Sequence, residues 1–286
     1  MKRDLTPAQL IERSIIKKYR KELWAPFMTA VTRYELIEPG DKIAVCVSGG
    51  KDSFLLAKLM QELHRHTKVP FEVIFLVMDP GYAPANREMI EKNAALMEIP
   101  ITIFESGIFD VTYNTDRTPC YLCAKMRRGY LYDQAKKLGC NKIALGHHMS
   151  DVIETTVMAM FNSSKLEAMM PKVHSLNFEG MELIRPLYCI LEEDILNWVR
   201  YNDLHFLQCA CRYTETGYIA SGRSKRQETK NLIRELKKNN PLIEQSIFNA
   251  IHSVRIETFP GYKLNGEMHT FLDWYDTRDD DQIHLV

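Results

Sequence analysis

The chain has 286 residues, 37 basic against 37 acidic side chains for a formal net charge of zero, and is 45% hydrophobic and 26% charged. Those proportions exclude a disordered or fibrous chain and leave a globular protein with room for a sizeable core. Neutrality also excludes arguing a polyanionic partner from net charge, so any such attraction must come from local clusters of Lys and Arg.

The first 24 residues have no apolar h-region, and no uncharged apolar run is long enough to cross a bilayer, so the expected setting is cytoplasmic with no membrane attachment. Leu10, Ile11, Ile15, Ile16, Tyr19 and Leu23 recur at three- and four-residue steps, which predicts a helix over 5–34, broken by Glu38-Pro39-Gly40-Asp41. Ile43-Ala44-Val45-Cys46-Val47 reads as a short buried strand opening into Ser48-Gly49-Gly50-Lys51-Asp52-Ser53 and an amphipathic helix through His64. The alternation continues as strand 72–78, helix 85–97, strand 101–104, helix 122–138, strand 142–145 and a helix from Asp151 to Phe161. A Met-rich stretch containing Pro then runs to about Arg185, and further helices follow Leu191 and Ser224. This pattern predicts an α/β fold, a Rossmann-like parallel sheet with helices on both faces. The expected organisation is an N-terminal helical segment 1–40, an α/β domain 41–212, and a helical C-terminal extension 213–286. The extension ends in an acidic tail with Asp279-Asp280-Asp281, a charge run whose plain reading is solvation.

The segment Ser48 to Ser53 lies where a strand ends and a helix begins, at the carboxyl edge of the inferred sheet. Two glycines let successive N–H groups point inward, the helix N-terminus adds positive dipole, and the Ser hydroxyls donate to anionic oxygens. Lys51 adds charge, and Asp52 suits magnesium. Gly-Gly alone would make only a tight turn; Ser, Gly, Gly, Lys, Asp and Ser together after an apolar strand point to phosphate. The spacing is not that of a Walker A loop, and it resembles the PP-loop of the ATP pyrophosphatases. A second segment, Gly146-His147-His148-Met149-Ser150-Asp151, follows another strand and should face the same cleft; Asp151 also suits a helix N-cap.

The seven cysteines, an odd number without a secretory signal, point to metal or redox chemistry rather than a disulfide framework. Cys120 and Cys123 form a Cys-x-x-Cys pair at a helix start, where the positive end favours thiolates. By itself the pair fits a redox dithiol, half a zinc site, half an iron–sulfur site or two buried thiols. Cys209 and Cys211, with a one-residue gap, are the candidates for completing a site, while Cys46, Cys140 and Cys189 read as structural.

With Cys120-Tyr121-Leu122-Cys123-Ala124-Lys125-Met126-Arg127-Arg128-Gly129, Lys142-Ile143-Ala144-Leu145-Gly146-His147-His148 and Ile184-Arg185-Pro186-Leu187, the chain resembles the tRNA 2-thiocytidine synthetase family from about Asp41 to Arg212. The resemblance implies an ATP-dependent tRNA sulfurtransferase that adenylates the C2 oxygen of a cytidine and replaces it with sulfur. It implies ATP held by Ser48, Gly49, Gly50, Lys51, Asp52, Ser53, Met78, Gly146 and His147, with Mg2+ on Asp52. It also implies a [4Fe-4S] cluster on Cys120, Cys123 and Cys209, with Cys211 as rival to Cys209, and Asp52, Asp151, Arg127 and Arg128 as catalytic residues. The chain departs from the family in having Ser150-Asp151 where two acids are common, Cys209-Ala210-Cys211 in place of a two-residue gap, and a segment 215–226 without counterpart.

Basic residues beside the cysteines, Lys125, Arg127 and Arg128 and then Arg212, Arg223, Lys225, Arg226 and Lys230, suit an RNA backbone, a solvated helix face or the phosphates of ATP. The implied partners are tRNA, ATP and a sulfur donor, either a cysteine desulfurase or inorganic sulfide; the oligomeric state is open, with a homodimer among the options. Alternatives on the same fold are a 2-thiouridine-forming enzyme or a small-molecule sulfurtransferase. From another class comes an RNA regulator or redox sensor that binds ATP and cluster without turnover.

Overall fold

In the computed structural model the described residues are 5–108, 119–207 and 225–277, with the side chains of 119–125 and 277 excepted. The chain divides into two compact units, 1–235 and 236–286. The cysteine pair Cys120 and Cys123 lies in a described helix but its side chains do not, and Cys209, Cys211, Arg212, Arg223 and the acidic run 279–281 lie outside the described residues.

The first unit is built on a six-stranded sheet in the order β3-β2-β1-β4-β6-β5. Its strands are β1 (Lys42–Val47), β2 (Glu72–Asp79), β3 (Ile101–Glu105), β4 (Lys142–Ala144), β5 (Lys172–His174) and β6 (Glu182–Ile184). All neighbouring pairs are parallel except β5 with β6, which closes one edge antiparallel. The mostly parallel α/β sheet therefore matches the sequence expectation. β5 and β6 arise from the Met-rich stretch for which no strand was expected; at three residues each they are too short to show a period-2 pattern.

The central strand β1 is buried along five of its six residues, as a strand covered on both faces must be. Because side chains alternate, Ala44 and Cys46 join Leu76, Ile143 and Leu183 on one face, packed against Tyr132 and Ala135 of the helix Pro119–Lys137 (α5). The helix Lys51–His66 (α3) buries an unbroken run from Ser53 to Leu63. Within that run the ammonium of Lys58, 0% exposed, is satisfied by Glu12, Gln61 and the Met97 carbonyl.

The single helix expected over 5–34 resolves into α1 (Pro7–Arg13), two π-helical turns at Ser14–Lys18 and Arg20–Trp24, and α2 (Ala25–Arg33). Thr6 and Gln9 form a capping box at its start. The remaining helices of the first unit are α4 (Pro84–Leu96), α6 (Met149–Ser163) and α7 (Glu192–Tyr201), and α8 (Lys225–Asn239) begins in it. The second unit contains α9 (Ile243–Ala250) and a hairpin of β7 (Gly261–Leu264) and β8 (Glu267–Thr270), closed by Asn265 and Gly266, both at positive φ. Tyr262 stacks on His269 in that hairpin.

Candidate active site

Chain direction reverses its lateral progress between β1 and β4, since β2 and β3 lie on one side of β1 and β4 and β6 on the other. At such a switch point the loops leaving two neighbouring parallel strands diverge, and a crevice opens at their carboxyl ends. The loop after β1 is Ser48 to Gly50 and the loop after β4 is Leu145 to His148, so the two motifs singled out from the sequence flank one crevice.

A cavity of about 310 Å³ fills it. Ser48, Asp52, Ser53, Met78, Arg127, Gly146, His147 and Asp151 line its wall, together with Cys46, Tyr82 and Leu131. Eight of the sequence-derived site residues are thus brought together. Gly49, Gly50, Lys51 and Arg128 are not on that wall: the glycines shape the turn, Lys51 faces acids, and Arg128 is exposed, its charge felt by Tyr132 and Arg185.

The loop's shape follows from its residues. Gly49 sits at φ +90°, where an L side chain is strained, and a Cβ there would lie 2.8 Å from Leu207 and 2.9 Å from Ile90. The Ser53 hydroxyl accepts from the Ser48 N–H at 3.1 Å and donates to the Gly50 carbonyl at 2.8 Å, closing the turn on itself. Gly146 lies against the first turn of α3, where a Cβ would stand 3.1 Å from the carbonyl carbon of Asp52 and 3.2 Å from the Ser53 nitrogen. Those neighbours are backbone and cannot rotate away. Gly146→Ala is therefore expected to cost roughly 1–3 kcal/mol, read as a lowered urea midpoint at unchanged m-value; an unchanged midpoint would mean that the two loops are not locked together.

On the opposite wall, Arg127 donates to the Tyr82 hydroxyl at 3.1 Å. Tyr82 is placed by the Asp-Pro-Gly turn after β2, where Asp79 Oδ1 accepts from the N–H groups of Gly81 and Tyr82 at 2.8 and 2.7 Å. Sequence reading passed over Tyr82, although a turn of this type at a strand's carboxyl end marks the same edge of the sheet.

Asp151 takes part in the cap of α6 without being its N-cap. His148 holds that position: its Nδ1 accepts from the Asp151 N–H at 3.3 Å, and Asp151 Oδ2 accepts from the His148 N–H at 3.0 Å. With Nδ1 accepting, the His148 ring proton is assigned to Nε2. That nitrogen stands 3.8 Å from Asp52 Oδ1, too far for a hydrogen bond.

A chain of alternating charges extends from here. Lys51 pairs with Asp52 Oδ2 and with Glu192 Oε1, each at 3.1 Å. Glu192 also accepts from Lys230, and Arg226 bridges Asp151 at 2.6 Å and Glu154 at 2.8 Å. Burial opposes ionisation of Glu192, but the bonds to Lys230 and Lys51 outweigh it and bring its pKa down to about 2. Burial likewise works against charge on Lys51, and Asp52 and Glu192 overcome it, so its pKa is raised. Asp52, Asp151, Glu154, Glu192, Arg226 and Lys230 surround a second cavity of about 250 Å³ with His148 and Gln227. Arg226 and Lys230, which the sequence offered to RNA or phosphate, are engaged with these acids. Glu154 and Glu192 carried no sequence signal, because a helix-borne Glu three or forty residues from a motif has no local feature to separate it from a solvated one.

Among the described residues no three acid, histidine or cysteine side chains gather around a metal position, and what suits magnesium is one oxygen of Asp52, to be completed by phosphate and water. Asp52 Oδ1 is buried, has no hydrogen-bond partner among the described residues, and belongs to a residue lining both cavities. A hard carboxylate oxygen left without a donor is what a hard cation requires. For an iron–sulfur cluster the candidate donors are Cys120 and Cys123 with Cys209, or its rival Cys211, thiols whose soft sulfur suits iron.

His147 is neutral at physiological pH: burial, then the nearby Arg185, lowers its pKa to about 4. Its Nδ1 is buried without a partner among the described residues. Since the unfolded chain binds that proton near pH 6.5 and the folded chain only near pH 4, the folded state loses stability as pH falls through this window. The expected loss is on the order of 1–3 kcal/mol by pH 4. His147→Gln should flatten the decline of Tm between pH 6.5 and 4, whereas a parallel decline would place the titrating group elsewhere.

Residues 18–214 match the family profile of a PP-loop domain. The chain is 34% identical over 247 residues to a tRNA-cytidine(32) 2-sulfurtransferase of Geobacter sulfurreducens, spanning 85% of this chain and 92% of that protein. It is 36% identical over 243 residues to one of Geotalea uraniireducens, spanning 82% and 91%. Among solved structures, the U34-tRNA thiolase NcsA of Methanococcus maripaludis, which has a [4Fe-4S] cluster, superposes with a TM-score of 0.63 at 21% identity over 80% of this chain and 77% of that one, a likeness of fold.

Proposed function

Since the chain belongs to the tRNA-cytidine 2-sulfurtransferase family of PP-loop proteins, we propose that it uses ATP to activate the C2 oxygen of a tRNA cytidine and exchanges that oxygen for sulfur. The observation that carries this reading is the meeting of the two motif loops in one cavity, with Arg127 on the facing wall.

ATP enters against Ser48 to Ser53, where the N-terminus of α3 and the glycine turn present N–H groups to phosphate oxygens. The C2 oxygen attacks the α-phosphorus, and pyrophosphate leaves. Asp52, through its unpartnered Oδ1, would hold the magnesium that accompanies the polyphosphate, which would add positive charge where negative charge collects, while Asp151 is held by His148 and Arg226. Arg127, fixed by its bond to Tyr82, adds positive charge on the facing wall, and Lys51, protonated between Asp52 and Glu192, holds the Asp52 carboxylate in place, so little reorganisation is needed as the barrier is crossed. Sulfide then adds at C2, and AMP departs with the former base oxygen; atoms balance and no net oxidation occurs. Cys120 and Cys123 with Cys209 or Cys211 would hold a [4Fe-4S] cluster, which would supply the sulfur. Neutral His147 on the cavity wall is free to donate or accept a single hydrogen bond without adding charge.

The test is anaerobic incubation with tRNA, ATP, Mg2+ and sulfide, followed by mass spectrometry of the digested nucleosides. The expected product is 2-thiocytidine, with cytidine 32, the position named for the Geobacter sulfurreducens protein, examined first. Accumulation of 2-thiouridine would move the reading to a uridine substrate. ATP and tRNA binding without any thiolated nucleoside or pyrophosphate release would leave a regulator in its place.

A further inference from the structure

A chain with no net charge concentrates cations at one place. Between positions 13 and 21 stand Arg13, Lys17, Lys18, Arg20 and Lys21 without an acid. All five are exposed, and among the described residues no carboxylate pairs with any of them. Their neighbour Glu12 turns the other way, to Lys58 at 2.6 Å and Arg65 at 2.7 Å. The fold therefore turns Glu12 away from these cations; Glu22, which follows Lys21 and lies near Tyr19, is the acid that remains beside them.

Three of these cations, Arg13, Lys17 and Lys18, line a groove of about 700 Å³ with Tyr201 at the end of α7 and, just beyond it, Asn202 and the single acid of the lining, Asp203. The ammonium of Lys18 stands 3.5 Å from the centre of the half-exposed Tyr201 ring, and Tyr19 meets the same ring edge-on at 5.7 Å. The groove is anchored: the Ser14 hydroxyl, between the cations, accepts from the indole N–H of the fully buried Trp198 at 3.0 Å, and the Tyr19 hydroxyl donates to the Asn197 carbonyl at 3.1 Å. Rigid placement matters because a preordered cation loses less entropy when it meets a phosphate.

Helix α7 joins this surface to the site. Its first residue, Glu192, belongs to the charge chain around Lys51, and its last, Tyr201, lies beneath Lys18. Nine residues at 1.5 Å each separate them by about 14 Å along the helix.

We propose that the groove bounded by Arg13, Lys17, Lys18 and Tyr201 binds the phosphate backbone of the tRNA beside the base delivered to the cavity. The inference rests on the reading of the chain as a tRNA enzyme and adds where on the protein the RNA lies. Cations and half-exposed aromatic surface in one groove match a polyanion whose bases also present flat faces, and such a surface supplies affinity that is salt-dependent and independent of sequence.

The experiment measures tRNA binding by fluorescence anisotropy across a salt series, for the wild type, for R13Q/K17Q/K18Q, and for K68Q/K92Q/K137Q, which removes equal charge from exposed positions elsewhere in the same unit. For the groove variant the slope of log K against log salt should flatten by roughly 2, about 0.7–0.9 for each phosphate that the protein no longer neutralises. KM for tRNA should rise while kcat at saturating tRNA and the Tm hold. The other triple variant should keep the wild-type slope. Equal flattening in both variants, or in neither, would overturn the inference while leaving the tRNA reading intact; a wild type that does not bind tRNA would instead overturn that reading.

Discussion

Asp52→Asn is expected to lower tRNA-dependent pyrophosphate release by a hundredfold to a thousandfold, roughly the cost of removing one preorganised electrostatic stabiliser from an active site. The expectation stems from one atom. Asp52 Oδ2 is bound to Lys51, but Oδ1 is buried with no donor among the described residues, an arrangement that costs free energy unless something positive completes it. The amide keeps the shape and loses the charge, so tRNA affinity should hold while the magnesium concentration for half-maximal rate rises. Glu192→Gln is the companion variant. It takes one carboxylate from Lys51 and Lys230 without touching Oδ1, so stability should fall by roughly 1–3 kcal/mol with the magnesium dependence unchanged. A rate for Asp52→Asn within a few-fold of wild type would remove Asp52 from the metal site.

The second large effect concerns the cysteines. Protein purified anaerobically should hold about four irons and matching labile sulfide per chain, lost in Cys120→Ala, in Cys123→Ala and in just one of Cys209→Ala and Cys211→Ala, with thiolation abolished. Nucleotide binding should survive, since the PP-loop wall of the cavity is intact in each variant. Cys46→Ala supplies the control. The Cys46 thiol also reaches the cavity, but burial pushes its pKa up to about 12, and Cys140 up to about 11, so neither offers a thiolate at neutral pH. Zinc without sulfide, requiring all four candidate cysteines, would sink the cluster mechanism and leave ATP chemistry without a sulfur carrier.

How much of this was legible beforehand varies with range. β1 and the helix after it were readable because five consecutive apolar residues followed by Gly-Gly leave few alternatives to strand, turn and helix. The helices begin at Pro119 and Met149, a few residues before the expected 122 and Asp151, since the thiols and the His148 cap carry no apolar periodicity. The amino-terminal periodicity was read as one α-helix, and the π turns escaped because an i+5 hydrogen bond leaves no mark in a pattern of apolar steps. Asp151 looked like an N-cap from its position; the cap is a histidine, a residue with no strong prior there.

By itself, the sequence determined the class of fold, the two loops that flank the crevice, and the family, because each is written in contiguous residues whose backbone demands are local. Only the tertiary structure decided that Tyr82 joins the cavity and meets Arg127 there, that Lys51 is held between Asp52 and Glu192, and that Arg226 reaches Asp151 across 75 positions. The physical reason is that charges pair through space at 3 to 4 Å, and a parallel sheet brings to one edge residues whose separation in the chain says nothing of their distance.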